Sequence, residues 1–361
     1  MNYYFNMKNT HQYLRYALSL IGALLLSACT INITPGFGKV SHTSSTAPML
    51  RTVLPAVVNI FSESNNVNCS KFLPSNPAIK KQLELDKNPL EQCMEQSQGS
   101  GVIIDADKGY IVTNYHNVKN AIRTTVTLHD RRQKIAKVIG VDPETDLALL
   151  QIRAKKLSEL PLNNADRELE TGDFLVAIGS PYGLDHSVSF GIVSATGRSN
   201  LGLENYEDFI QTDASINVGN SGGAIVGMNG KLVGISTAIV GANNSNTGIG
   251  FAISGSMVKA VIDQLETYGS VNRGQIGVLI DDIMVDDQLR AIITSVLPNS
   301  PAYQAGLKTG DIVLRHNGAA AQGSAKLHNA LGLMRVGETA TLEILRGNKH
   351  KIIKVILGTR A

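Results

Sequence analysis

The chain has 361 residues, with 33 Lys and Arg against 30 Asp and Glu, for a net charge of +3. That length accommodates two domains, and so small a charge, with no basic stripe interleaved with aromatics, excludes nucleic-acid capture as the main task. Thirty-four glycines, no tryptophan and an apolar fraction of 43% describe a globular chain rich in short strands and turns.

Lys8 and Arg15 precede an apolar run from Tyr16 to Leu26, which the small residues Ser27 and Ala28 close. A charged start, a short apolar stretch and a small-residue exit make up an export signal over residues 1–28. The run is well short of the ~20 residues that span a bilayer. Leu26-Ser27-Ala28-Cys29 looks like the lipobox of bacterial lipoproteins, which implies acylation of Cys29 and anchoring to a membrane face without a span. Cleavage as an ordinary signal peptide is the alternative. There are three cysteines. With lipid on Cys29, Cys69 and Cys93 remain to pair as a disulfide in an oxidising compartment, the periplasm, across a polar insertion containing Pro74, Pro77 and Pro89. Two free thiols are the other reading. Residues 29–47, with Ser41, Ser44, Ser45 and Thr46, lack apolar periodicity and read as a tether.

From Pro55 onward, short β-like runs recur: residues 56–60, 101–104, 110–113, 124–128, 147–152, 174–178, 191–193, 231–235 and 250–253. Strands of this kind, separated by turn residues, predict antiparallel barrels or sandwiches. A helix is expected over Ser256 to Tyr268, where Met257, Val258, Val261, Ile262 and Leu265 share one face and Gly269 supplies the stop. The segment from about Arg273 reads as a separate small domain with strands at 292–296, 341–345 and 352–357.

Three segments carry chemistry. Gly219-Asn220-Ser221-Gly222-Gly223-Ala224 sets a serine among glycines. Such a turn lets backbone N–H groups around Gly219, Asn220 and Ser221 converge on a developing oxyanion, although a plain surface turn has the same composition. His116 follows the β run Tyr110-Ile111-Val112 and precedes a helix-like stretch, Asn117 to Ile122. Asp146 abuts the apolar run from Leu147, so its carboxylate is expected to be partly buried and in need of a partner. Asp142 competes for that role, but beside Pro143 it reads as a solvated turn residue. The chain order His, Asp, Ser is that of the double β-barrel proteases. No His-Glu-x-x-His and no Cys/His pairs at zinc spacing are present, so neither metal nor cofactor is implied.

Thr113-Asn114-Tyr115-His116, Thr145-Asp146-Leu147-Ala148-Leu149-Leu150, Ala177 to Gly183, Gln211 to Ala224 and Gly250 to Ile253 together resemble the HtrA (Deg) family of periplasmic serine proteases. The resemblance implies a mainly β fold: a chymotrypsin-like double β-barrel protease domain over residues 48–270, then a small α+β PDZ domain over 271–361. It assigns His116, Asp146 and Ser221 as the catalytic triad. Ser300 to Val313 is similar to the central stretch of the PDZ domains, and Gln275-Ile276-Gly277-Val278 occupies the position of their carboxylate-binding loop. Ser215 stands where chymotrypsin-like enzymes set the charge of the S1 pocket, and no acid is there to hold Lys or Arg. Ile216 and Ile239 match positions lining that pocket in the family, which implies small aliphatic P1 residues. The resemblance further implies a homotrimer acting on unfolded or misfolded polypeptides in protein quality control or the envelope stress response. A single PDZ domain is similar to the stress-sensing branch, the long 69–93 insertion to the quality-control branch. The rival readings are a chaperone or a PDZ adaptor without proteolysis.

Overall fold

The computed structural model describes residues 45–65, 94–162, 169–181, 186–217, 219–239 and 248–359. Cys29, Cys69, Cys93, Tyr182, Gly183 and the side chain of Ile239 lie outside these, and so do the expectations placed on them.

After a short helix α1 (Ala47–Val53), seven strands form the first sheet: β1 (Val57–Asn65), β2 (Met94–Asp105), β3 (Tyr110–Asn114), β4 (Ala121–Thr127), β5 (Gln133–Ile135), β6 (Lys137–Asp142) and β7 (Leu147–Gln151). Their order is β5-β4-β1-β2-β3-β7-β6, a barrel-like wall around Val58, Ile60, Ile103, Ile111, Val126 and Leu150. The second sheet is a closed barrel, ordered β10-β13-β12-β11-β8-β9. Its strands are β8 (Phe174–Gly179), β9 (Ser187–Arg198), β10 (Phe209–Thr212), β11 (Ala224–Gly227), β12 (Leu232–Ile239) and β13 (Gly250–Ser254).

The apolar runs are continuous because both of their faces are buried. Along β1, Val58 and Ile60 point into the first barrel, whereas Val57 joins Val102, Val112, Leu147 and Leu149 in a second core shared with Val176, Ile178, Phe209 and Phe251 of the other barrel. That shared core is the seam on which the site is built. Helix α2 (Gly255–Tyr268) covers it with Met257, Val258, Val261, Ile262 and Leu265. Ser254 accepts a hydrogen bond from Met257 N at the N-cap, and Gly269, at φ 72°, ends the helix in the left-handed conformation.

The last sheet, β14 (Val278–Val285), β15 (Gln288–Val296), β16 (Ile312–His316), β17 (Ala319–Ala320), β18 (Thr339–Arg346) and β19 (Lys349–Ile356), has its own core of Ile293, Val313, Leu327, Leu342 and Ile344. Two helices, α3 (Pro301–Gln304) and α4 (Ser324–Gly332), accompany it. Two expectations need correction. The stretch after His116 is not helical: a 3-10 turn, Tyr115–Asn117, leads into β4, whose Ile122, Thr124, Thr125 and Val126 favour a strand. Asp142 is no solvated turn residue. It is 3% exposed and accepts from both terminal guanidinium nitrogens of Arg273, at 2.7 and 2.6 Å.

Candidate active site

His116 and Asp146 meet because of strand register. β3 and β7 pair antiparallel with Asn114 opposite Leu147, so the residues just past one strand and just before the other become neighbours. Asp146 adopts φ 57°, a conformation that Asp tolerates better than most side chains. Its carbonyl accepts Tyr115 N–H and Asn114 Nδ2, each at 3.0 Å. Its buried carboxylate accepts His116 N–H on Oδ1 at 2.9 Å and meets His116 Nδ1 through Oδ2 at 2.7 Å. A carboxylate only accepts, so Nδ1 carries the proton and Nε2 turns a lone pair outward.

Ser221 reaches the same place from the second barrel. The turn preceding β11 is knotted by Gly223 N to Asn220 O and Gly222 N to Ser236 O, both at 2.8 Å. Gly222 has φ 84°, and a Cβ there would lie 2.2 Å from Ser100 O, so no other residue fits. The Ser221 carbonyl is held from the first sheet by Ser100 N at 2.8 Å and Asn117 Nδ2 at 3.0 Å. Ser100 Oγ donates to Gly219 O at 2.6 Å and accepts Ser180 N–H at 2.8 Å. Among the described residues the Ser221 hydroxyl donates to Thr237 O at 3.2 Å rather than to His116, and Thr237 Oγ1 in turn donates to Asp146 Oδ2 at 3.1 Å. Thr237 thus connects the hydroxyl and the carboxylate.

Of the three oxyanion donors expected from the sequence, Asn220 is engaged, its N–H donating to Asn217 O at 3.0 Å. The N–H groups of Gly219 and Ser221 meet no acceptor among the described residues. Ser215 is exposed, and its carbonyl accepts Ser189 Oγ at 2.8 Å. Ile216 is fully buried, packed where a Cβ on Gly250 would meet it at 2.9 Å.

In the last domain, Gly277 has φ 75°, and a Cβ there would meet Ser300 at 2.4 Å. Gln275 N donates to Gly358 O at 3.0 Å, and the carbonyls of Ile276 and Gly277 accept from Ala302 N and Leu297 N. The N–H groups of Ile276 and Gly277 have no described acceptor and stand beside the start of β14 at Val278. The turn thus leaves two backbone donors next to each other in the chain at the head of the strand.

Residues 99–235 match the trypsin-like peptidase domain family and residues 274–357 the PDZ domain family. Escherichia coli (strain K12) periplasmic serine endoprotease DegP is 42% identical over 363 residues, covering 92% of this chain and 76% of its own length. The chain belongs to the HtrA (Deg) family of serine proteases. Periplasmic pH-dependent serine endoprotease DegQ of the same strain is 40% identical over 356 residues, or 95% of this chain and 77% of its own. The solved HtrA-type protease AlgW with tripeptide is 34% identical, with a TM-score of 0.70, covering 88% of this chain and 98% of that one.

This HtrA chain also carries a carboxyl group that sequence reasoning missed. Loop 199–208 is shaped by the buried Glu207 carboxylate, which accepts Leu201 N and Leu203 N at 2.6 Å and Glu204 N at 3.1 Å. The fold half-buries Glu204. Burial first, then the Asp146 charge, push its pKa from 4.5 up to about 7, and the charges of Glu207 and Asp142 add to this while His116 opposes it. Between these values the unfolded chain releases a proton that the folded chain keeps, so Glu204 lowers stability as pH rises from 4.5, with the full penalty above 7. Glu204→Gln is therefore expected to melt higher than the parent at pH 8, with the gap closing toward pH 4.5. Melting curves across that range test it, and a constant gap rejects this account.

Proposed function

We propose that the chain is an endopeptidase of the periplasm that cuts unfolded or damaged exported polypeptides, with His116, Asp146 and Ser221 as its triad. The observation that carries this is the buried Asp146 carboxylate, bonded at once to His116 Nδ1 and to Thr237, whose carbonyl holds the Ser221 hydroxyl. A change of Ser221 rotamer moves the hydroxyl from Thr237 O toward the Nε2 lone pair. There His116 removes the proton as Oγ attacks the peptide carbonyl, and later gives it to the leaving amine. Asp146 holds the tautomer and stabilises the imidazolium, and the Gly219 and Ser221 N–H groups receive the oxyanion.

The turn at 276–278 takes a peptide C-terminus, whose chain adds a strand along β14. We keep the domain boundary at 270/271, the export signal at 1–28, the tether from Cys29 and the Cys69–Cys93 disulfide. The homotrimer and the lipid on Cys29 are part of the same reading. The names of the relatives and the export-type N-terminus support the periplasm. Small aliphatic residues are the expected P1 choice, given a pocket position, Ser215, without an acid.

A fluorophosphonate probe reads the assignment directly. It is expected to label Ser221 in the parent, with His116→Ala abolishing the label. A parent that binds unfolded chains yet never takes the probe is the chaperone or adaptor.

A further inference from the structure

Outside the roles described above, two histidines meet, one from each barrel. His129 lies in the turn between β4 and β5, and His186 immediately precedes β9. Their Nδ1 atoms are 3.3 Å apart, with ring centroids at 4.9 Å and planes inclined by 47°. We infer that His129 and His186 form a two-imidazole site for a divalent transition-metal cation of the zinc class, which fastens the first barrel to the second.

Three observations lead there. The first is tautomer. His186 Nε2 lies 2.8 Å from Val57 O, and a carbonyl only accepts, so Nε2 holds the proton and Nδ1 offers a lone pair toward His129. A backbone carbonyl fixing the far nitrogen of the ring is the usual support of a metal-binding histidine. The second is span. With Zn–N bonds of about 2.0–2.1 Å and a tetrahedral angle, two ligand nitrogens stand roughly 3.3–3.4 Å apart, which is the separation found. The third is charge. The guanidinium of Arg132, in the same turn, is engaged elsewhere, its Nε on Asp130 Oδ2 at 2.7 Å and its Nη1 on Lys155 O at 2.7 Å. Asp130 adds a carboxylate next to His129 in the chain.

In the metal-free pair, the His129 Nδ1–H points at the His186 lone pair. Binding moves that proton, by way of water, to His129 Nε2, so both rings stay neutral and both Nδ1 atoms donate to the metal. No third His, Cys, Asp or Glu joins them among the described residues, and solvent can fill coordination positions that the two rings leave open. The two histidines are 57 positions apart, which is why no spacing motif announces them.

Calorimetric titration of the untagged chain with zinc chloride at pH 7.5 is the test. One Zn²⁺ per chain is expected, with affinity falling more than about tenfold in His129→Ala and in His186→Ala, and lost at pH 5, because protons compete with a metal for imidazole nitrogens. His116→Ala is expected to bind as the parent does. His129 is exposed in its turn, so that variant is expected to keep the metal-free melting curve and remains decisive should His186→Ala unfold. Unchanged affinity in His129→Ala, binding that persists at pH 5, or binding lost with His116 instead would each overturn the proposal.

Discussion

Ser221→Ala is expected to lower turnover of an unfolded substrate such as casein by roughly 10⁶-fold, and Asp146→Asn by roughly 10⁴-fold. The difference in size follows from the geometry. On the proposed assignment, without the hydroxyl there is no acyl intermediate, and only the Gly219 and Ser221 N–H groups and substrate binding remain to speed the attack of water. With asparagine at 146 the hydroxyl and the donors persist. An amide placed against His116 Nδ1 can present its NH₂, which favours the tautomer with its proton on Nε2, the wrong nitrogen for a base. Initial rates at saturating substrate check both, and a loss of less than tenfold in Ser221→Ala would end the triad assignment. The bond from Thr237 Oγ1 to Asp146 Oδ2 keeps the carboxylate in place in the parent, so the rate, rather than the fold, should respond.

The second large effect is on stability. Arg273→Met is expected to cost about 3–5 kcal/mol. The ion pair of Arg273 with Asp142 is bidentate, and its side chains are only 9% and 3% exposed. The arginine also lies 4.5 Å over the Tyr206 ring and 3.5 Å from Glu144. Removing it strands a desolvated carboxylate. The cost should be largely recovered in the double variant Asp142→Leu/Arg273→Met, because a well-packed apolar pair replaces two charges without leaving either alone. Urea midpoints of parent, single and double variants settle this, and a single variant within about 0.5 kcal/mol of the parent would show that solvent reaches the pair after all. The position is informative because Asp142 Oδ2 also accepts Thr145 Oγ1 at 2.5 Å, one residue before Asp146. Tyr206 stacks on His328 of α4 at 4.6 Å.

The three residues assigned to the triad each sit against a strong local signal in the sequence. A β run ends just before His116, a wholly apolar one begins after Asp146, and Ser221 stands among glycines that backbone geometry demands. Thr237, Ser100, Asn117 and Thr113 were not legible. Each is an ordinary polar residue in or beside a strand, and its value arises only when folding brings it against a partner 13 to 119 positions away, as with Thr113 Oγ1 on Ser100 O or Ser100 Oγ on Gly219 O. Asp142 was misread for the same reason. Proline next to an acid is a fair turn signal, but the arginine that buries it comes 131 positions later. In the last domain α4 escaped notice because its Ser324–Gly332 stretch is short and has a glycine, Gly323, at its N-cap.

The two hydrogen bonds that grip the Ser221 carbonyl both come from the opposite wall of the cleft. A serine turn severed from that wall keeps its own strands and loses its bearings. Mild heating or denaturant that loosens β2 while sparing the closed barrel should therefore silence the enzyme before its spectroscopic signal of unfolding appears. Ownership of the reaction belongs to neither half; it exists only while the two are pressed together.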